Sequence, residues 1–489
     1  SSAASDVYKR QILPCRYYSN IDQFPIDGVV MPEHFRRFQE FALSARLGVV
    51  TILLLLISLT SSATSDLPSL GENASINIER EMKLGRSVYR KLLSVGLVET
   101  NPLLDRYIND LGFRLLAGID NRVRDYRFFI VRDDAVNAFA VPGGYIGINR
   151  GLIAKALTQH QLASVMAHEI AHVELRHGLD SMAKGSEINT KTILAMIAGL
   201  ALGGPAGSAV FYGGIAGSQQ AMVNFTRENE YEADRIGISL MGNANFDPQG
   251  MPEFFAIMGK LSGSSGSGIE YLRTHPLSNN RVAEALGRAQ NMPPGRNQVD
   301  DYLLFKDFLQ FVSRNHLEDQ GSDFRRALAS VKAGEHDRAD KMLADLYRRD
   351  SDNIWYGIAF AQNLEHLERE TEAELVYRRL LDIFPGDYVL SMHLLRLLKL
   401  VGQYESALVI GRQLENGFPE KQQVYFELSE IYESLHQPSL RMMAEAEFHR
   451  ITGNPQQAIR LYDQVLKSPE TDLATESKAR EKRLILLEK

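Results

Sequence analysis

The chain has 489 residues, 44% hydrophobic and 24% charged, a globular composition long enough for two or three domains. A net charge of −7 supplies no bulk attraction to nucleic acid, and no nucleic-acid partner is expected. Cys15 is the only cysteine, which excludes a disulfide framework.

Residues 1–30 do not begin with Met and read as a non-native leader, with Met31 the better start. Arg36, Arg37 and Arg46 precede an apolar run from Leu47 to Leu59, and Ser61-Ser62-Ala63 follows. That order predicts a secretory signal peptide over residues 31–63. The run is short for a membrane span, and an uncleaved anchor is the alternative. Cleavage leaves a mature chain without cysteine, which suits an oxidising compartment.

Residues 75–117 read as helices, with Leu84, Val88, Leu92 and Leu93 at helical spacing. Tyr126 to Val131 and Ala138 to Ile148 read as strands, the second broken at Pro142-Gly143-Gly144. An edge strand offers unpaired N–H and C=O groups to which an extended peptide can add, although such an edge can also be merely capped.

His168-Glu169-Ile170-Ala171-His172 follows, on a segment whose Leu162, Val165, Met166, Ile170 and Val173 form an apolar stripe. Four residues nearly complete a helical turn, so His168 and His172 share a face and can grip one zinc ion. Glu169 is then placed to take a proton from water at that ion. Gly178 is the expected C-cap. His177 stands five residues past His172, off the shared face, and reads as structural or surface.

An apolar stretch from Ile193 to Met222 is interrupted by Gly203-Gly204-Pro205 and by Gly213, Gly214 and Gly217. Each half is too short to span a membrane. It reads either as a lid touching a membrane surface or a partner, or as a buried helical connection.

A catalytic zinc needs a third protein ligand. Glu230 and Asp234 are four apart on a helical segment, so one can bind metal while the other accepts the N–H of a ligand histidine. The bland alternative is a solvated acidic face. Ser262 to Gly268 reads as a flexible loop leading to Thr274-His275-Pro276. His275 has three readings: a transition-state donor, a movable fourth ligand that shuts the site, or a helix-entry residue. Arg281 either stabilises the site or the oxyanion, or pairs locally.

Beyond about residue 320 a period appears. Ala339, Ala373 and Ala407 are 34 apart, as are Phe384-Pro385 and Phe418-Pro419. Thirty-four is the tetratricopeptide length, and roughly four imperfect repeats over 320–489 are expected to present a concave binding face. Ala458 lies 51 beyond Ala407, which suggests a half-repeat insertion near Gln422 to Met443.

The set of motifs resembles the gluzincin metallopeptidases that include the CAAX prenyl protease and the membrane heat-shock protease. HEIAH, the ExxAD-type helix from Glu230 to Asp234, Thr274-His275-Pro276 with Arg281, and the stretch Asn137-Ala138-Phe139-Ala140 to Gly144 carry it, over about residues 75–290. The downstream repeats add a likeness to the periplasmic members of that family. The resemblance implies an α+β, mostly helical protease domain with a small sheet over 70–300, followed by an all-α solenoid. It implies one zinc per chain held by His168, His172 and Glu230, with Glu169 as base and Asp234 orienting a ligand histidine. It favours substrate binding at the edge strand Asn137, Ala138, Phe139 and Ala140, and the movable-ligand reading of His275. It further implies a periplasmic endopeptidase in outer-membrane protein quality control, acting on unfolded or misassembled proteins, with the repeats meeting the assembly machinery. The rival readings are a repeat-domain chaperone or scaffold whose zinc site is shut, and a membrane-anchored protease of lipidated substrates, against which the single short apolar segment argues.

Overall fold

The computed structural model describes residues 78–119, 124–177, 227–264, 269–295, 301–314 and 316–487. The expected leader, the signal segment and the apolar stretch 193–222 lie outside the described residues. Among those described, no helix is long and apolar enough to cross a membrane.

Helix α1 (Ile78–Ser94) and helix α2 (Pro102–Leu116) open the protease region. Asn101 caps α2 through Oδ1, which accepts from Leu103 N and Leu104 N, and Pro102 sits at the first turn, where no N–H is needed. Strands β1 (Arg127–Val131), β2 (Ala138–Val141) and β3 (Tyr145–Asn149) follow. Their order is β1-β3-β2, with β3 parallel to β1 and antiparallel to β2. The central strand β3 is buried throughout, whereas Phe139 to Val141 of β2 are only partly covered. The β2–β3 turn needs Gly143: its φ is +88°, and a side chain there would meet the Glu81 carbonyl at 2.5 Å.

Helix α3 (Arg150–Lys155) leads into α4 (Gln159–Glu174), which carries HEIAH and packs against β2. Thr158 Oγ1 caps α4 by accepting from Gln161 N. The expected apolar stripe is buried, and the histidines opposite it are buried too, because α5 (Arg227–Asn243) lies across them. Gly237 permits that contact: a Cβ there would stand 3.2 Å from His168 N.

Two sequence expectations need correcting here. The expected C-cap glycine at 178 is outside the described residues, and α4 ends sooner, at Glu174. The left-handed position falls on Arg176, φ +58°, a conformation costing about 1–2 kcal/mol in a non-glycine residue. Ser262 to Ser264 are not loop but the last turn of α6 (Gly250–Ser264), whose Met258 and Leu261 anchor the helix to the core; residues 265–268 lie outside the described set. A packed apolar face carries a helix through a sequence of poor propensity.

Helices α7 (Glu270–Thr274), α8 (Asn279–Gln290) and α9 (Tyr302–Ser313) complete this half. Tyr302 Oη donates to the carbonyls of Ile153 and Ala156, both at 3.1 Å. On the same helix, Phe305 stacks on Tyr107 at 4.2 Å, and Phe308 meets Trp355 edge-on at 5.6 Å.

The remaining helices pair: α10 (Asp323–Lys332) with α11 (His336–Arg349), α12 (Ile354–His366) with α13 (Glu370–Ile383), α14 (Tyr388–Leu400) with α15 (Tyr404–Gly417), and α16 (Gln422–Ser434) with α17 (Pro438–Ile451). A final pair, α18 (Pro455–Lys467) and α19 (Leu473–Leu487), follows. The second helices of the first four pairs start 34 residues apart. The left-handed residue inside each of those pairs recurs at the same step: Gly334, Glu368, Gly402 and His436. About four repeats are therefore present, but without the expected half-repeat insertion. The alanine slot of α17 holds Arg441, paired with Glu433 at 2.7 Å and with Glu445 at 2.5 Å, and Ala458 belongs to a first-type helix.

Residues 76–489 form one compact unit, and one apolar cluster runs from α2 and the sheet into the repeats. Charge pairs cross the same junction. Arg106 meets Asp387 at 2.6 Å, and Asp105 lies between Arg127 at 2.9 Å and Lys421 at 3.0 Å.

Candidate metal centre

Three elements converge on one buried point: α4 with His168, Glu169 and His172, α5 with Glu230 and Asp234, and the end of α7 with His275. His168, His172, Glu230 and His275 each offer one donor atom, all within 4.8 Å of one another. His168 Nε2 is 2.9 Å from His172 Nε2, 3.2 Å from His275 Nδ1 and 3.5 Å from Glu230 Oε2. Glu230 Oε1 is 3.3 Å from His172 Nε2 and 3.2 Å from His275 Nδ1. Bonds of about 2.0–2.1 Å to a tetrahedral zinc place neighbouring donors about 3.3 Å apart. The five separations scatter around that edge length, so the donor set fits one small tetrahedral cation.

The charges call for such a cation. Glu230 and Asp234 are 1% and 4% exposed, which rules out a solvated acidic face. Burial opposes their ionisation, yet the histidines and Arg281 around them hold both carboxyls below the usual range. Burial opposes charge on His168, but Asp234 and Glu230 outweigh it and lift its pKa to about 10. Burial and the neighbouring His168 push His172 down to about 3.

Supporting contacts fix the ligands. His168 Nδ1 lies 2.9 Å from Asp234 Oδ1. Arg281 grips Asp234 with both Nε, at 2.7 Å, and Nη2, at 2.8 Å, while Nη1 donates to the Pro276 carbonyl at 2.7 Å and lies 2.8 Å from Glu230. Buried at 2% exposure, Arg281 is committed to these partners. Glu169 is 1% exposed, its Oε1 accepts no hydrogen bond, and burial raises its pKa. His275 Nε2 lies 3.4 Å from that oxygen.

His275 follows α7 as its C-cap, rather than entering a helix. Its N–H donates to Tyr271 O at 2.8 Å, and its ring lies 4.8 Å from that of Tyr271. Tyr271 N in turn donates to Val136 O, which ties the segment to the residues before β2. Asn137 to Ala140 lie along the strand edge beside α4, and Asn137 Oδ1 is buried without a hydrogen-bond partner.

Residues 102–289 match peptidase family M48. The chain is 33% identical over 350 residues to the beta-barrel assembly-enhancing protease of Escherichia coli, covering 66% of this chain and 71% of that protein. It belongs to peptidase family M48. The protein of the same name from Yersinia pestis is 32% identical over 313 residues, 59% of this chain and 64% of that protein. A mitochondrial metalloendopeptidase of Schizosaccharomyces pombe is 26% identical over 210 residues, 42% of this chain and 60% of that one. The chain is thus a metalloendopeptidase, with a buried His/Glu group suited to a metal ion.

The sequence left His177 as structural or surface, and it did not show the contacts that brace α4 from outside the donor set. His177 is buried, with Nδ1 3.0 Å from His172 Nδ1. Glu81 of α1 pairs with Arg124 and Arg176, and Glu174 at the end of α4 accepts from Tyr126 Oη at 2.5 Å and from Arg124 at 3.4 Å. These contacts span dozens of residues and leave no local signal.

Proposed function

We propose that the chain is a zinc endopeptidase of the periplasm that takes part in outer-membrane protein quality control, assisting barrel assembly and degrading misassembled chains. The chemistry rests on one observation, the tetrahedral spacing of the donors His168, His172 and Glu230 beside an unpartnered Glu169 Oε1. When bound, zinc supplies Lewis acidity at the scissile carbonyl and a water that ionises near neutral pH. Glu169 Oε1 takes the proton from the attacking water and returns it to the amide nitrogen as the C–N bond breaks. Asp234 holds the His168 tautomer, and Arg281 holds Asp234 and Glu230 in place.

Substrate is read as an extended strand added to β2, whose far side carries no partner strand among the described residues. Asn137 Oδ1 offers that peptide a buried acceptor. His275 occupies the fourth vertex, so the resting site is shut and opens when His275 withdraws. Partner recognition falls to the repeats, where a cavity of about 330 Å³ is lined by Arg412, Glu415, Tyr425, Leu428, Met443 and Lys478. The names of the relatives and the secretory character of residues 31–63 support the periplasmic assembly role.

Purified protein is expected to bind one zinc and to cleave an unfolded test protein, with chelation abolishing turnover and Glu169→Gln keeping zinc but losing activity. Wild-type turnover in Glu169→Gln overturns the assignment of the base. Cell fractionation that recovers the protein in the cytoplasm overturns the address.

A further inference from the structure

Every ligand histidine has two ring nitrogens, and the one turned away from the metal needs a partner that fixes its proton. His168 has Asp234. For His172 the ring nitrogen turned away from the donor set, Nδ1, lies 3.0 Å from His177 Nδ1.

The chain turn after α4 supplies that partner. Leu175 ends the helix, Arg176 takes a left-handed φ of +58°, and the reversal brings His177 back onto the ring of His172. The two rings sit edge-on, with centroids 5.1 Å apart and the Nδ1 atoms at 3.0 Å. His177 is 5% exposed, and its Nε2 lies 3.5 Å from Glu232 Oε2. A non-glycine residue held in a left-handed conformation persists only where its surroundings enforce it, and such strain gathers at functional positions. Here the strain is held by Arg176 pairing with the buried Glu81.

We infer that His177 is a positioning residue for His172, and this rests on the zinc reading above. Proton placement leaves one consistent arrangement. For His172 Nε2 to offer its lone pair to the metal, the ring proton must sit on Nδ1. That N–H donates to His177 Nδ1, which must then be the unprotonated nitrogen of its ring. The proton of His177 accordingly resides on Nε2 and faces the Glu232 carboxylate. Reversing the first bond puts the His172 proton on Nε2, pointed at His168 and Glu230, where it blocks ligation. Helix α5 therefore serves the site three times at alternate positions: Glu230 toward the metal, Glu232 behind His172 through His177, and Asp234 behind His168.

The test is zinc affinity of the full chain, measured by competition with a chromogenic chelator, together with the visible spectrum of the cobalt-substituted protein. Outer partners of metal-bound histidines typically contribute about 10–100-fold in affinity. His177→Ala is expected to weaken zinc binding by that factor and to shift the cobalt bands. His177→Asn, whose Oδ1 can accept where Nδ1 did, is expected to recover most of the affinity. Glu232 is half exposed, so Glu232→Ala serves as a variant safe for folding, with a loss of a few-fold expected. Wild-type affinity and an unchanged cobalt spectrum in both His177→Ala and Glu232→Ala overturn the inference. So does a His177→Asn variant no better than His177→Ala, which reduces His177 to packing. A wild-type chain that binds no zinc is a different failure, since it removes the metalloprotease reading itself.

Discussion

Arg281 is the most informative residue to replace first, because its two candidate roles predict opposite kinds of damage. It is buried at 2% exposure, makes a two-point bond to Asp234, and lies 2.8 Å from Glu230. Arg281→Met keeps much of the aliphatic stem but removes the guanidinium, which lies 5.3 Å over the Phe255 ring, and leaves two buried carboxylates facing only the histidines. Removing one partner of a buried ion pair typically costs about 3–5 kcal/mol. For the compact unit of residues 76–489 unfolding together, that corresponds to a fall of about 3–6 °C in melting temperature. The loss is expected to be largest without zinc and smaller with it, since the cation compensates Glu230. Arg281→Lys, with charge but no fork, should lie between. Thermal unfolding of the zinc-free and zinc-loaded proteins checks this. A donor to the transition state behaves otherwise: stability and zinc affinity stay put while kcat falls by about 10²–10³. That pattern would refute the anchoring role.

Two further outcomes follow from the same geometry. Glu230→Gln should lose far more bound zinc than Glu232→Gln, measured as metal per purified chain, because only Glu230 faces the donor set; equal contents would reassign the third ligand. Deleting residues 320–489 should destabilise the protease rather than release it intact, since Phe305 and Phe308 would lose Trp355, and Asp105 would lose Lys421. A truncated chain that stays monomeric on size exclusion and melts like the full one would show that the junction contributes nothing.

What the sequence disclosed, and what it hid, follows the range of the interactions involved. His168, Glu169 and His172 were legible because ligation demands a local spacing, and Glu230 with Asp234 for the same reason one helix later. The strand pair around Pro142-Gly143-Gly144 was legible because a left-handed turn restricts residue choice. Of the two readings of His177, structural or surface, burial removes the second: the helix stops at Glu174 and Arg176 reverses the chain, which the spacing alone does not report. The register of the fourth repeat was hidden by Arg441, whose pairing with Glu433 and Glu445 replaces the small residue that marks the other three. Ser262 to Ser264 looked like loop because composition reports propensity, while Met258 and Leu261 decide the helix through packing. The contacts of Glu81, Arg124 and Glu174 join separate elements, and no periodicity reports them.

The shut state is decided by His275→Ala. His275 is 7% exposed, and its Nδ1 stands 3.2 Å from both His168 Nε2 and Glu230 Oε1, at the fourth corner of the donor set. On the shut-site proposal, a nitrogen in that corner would keep out the water on which Glu169 is to act, and turnover would be proportional to the fraction of molecules in which His275 has withdrawn. A shut-to-open ratio of about 10–100 corresponds to about 1.4–2.8 kcal/mol, a modest bias for a segment that follows a short helix. Removing the imidazole should therefore raise basal cleavage of an unfolded protein by up to that factor, while His168, His172 and Glu230 keep the zinc. Partner engagement that opens the wild-type site should have little left to add in the variant. If His275 instead donates to the oxyanion from its open position, the same substitution lowers kcat by about 10²–10³. The two readings differ in sign, so initial rates at matched zinc occupancy separate them, and a fall of that size removes the inhibitory ligand from the description of this site.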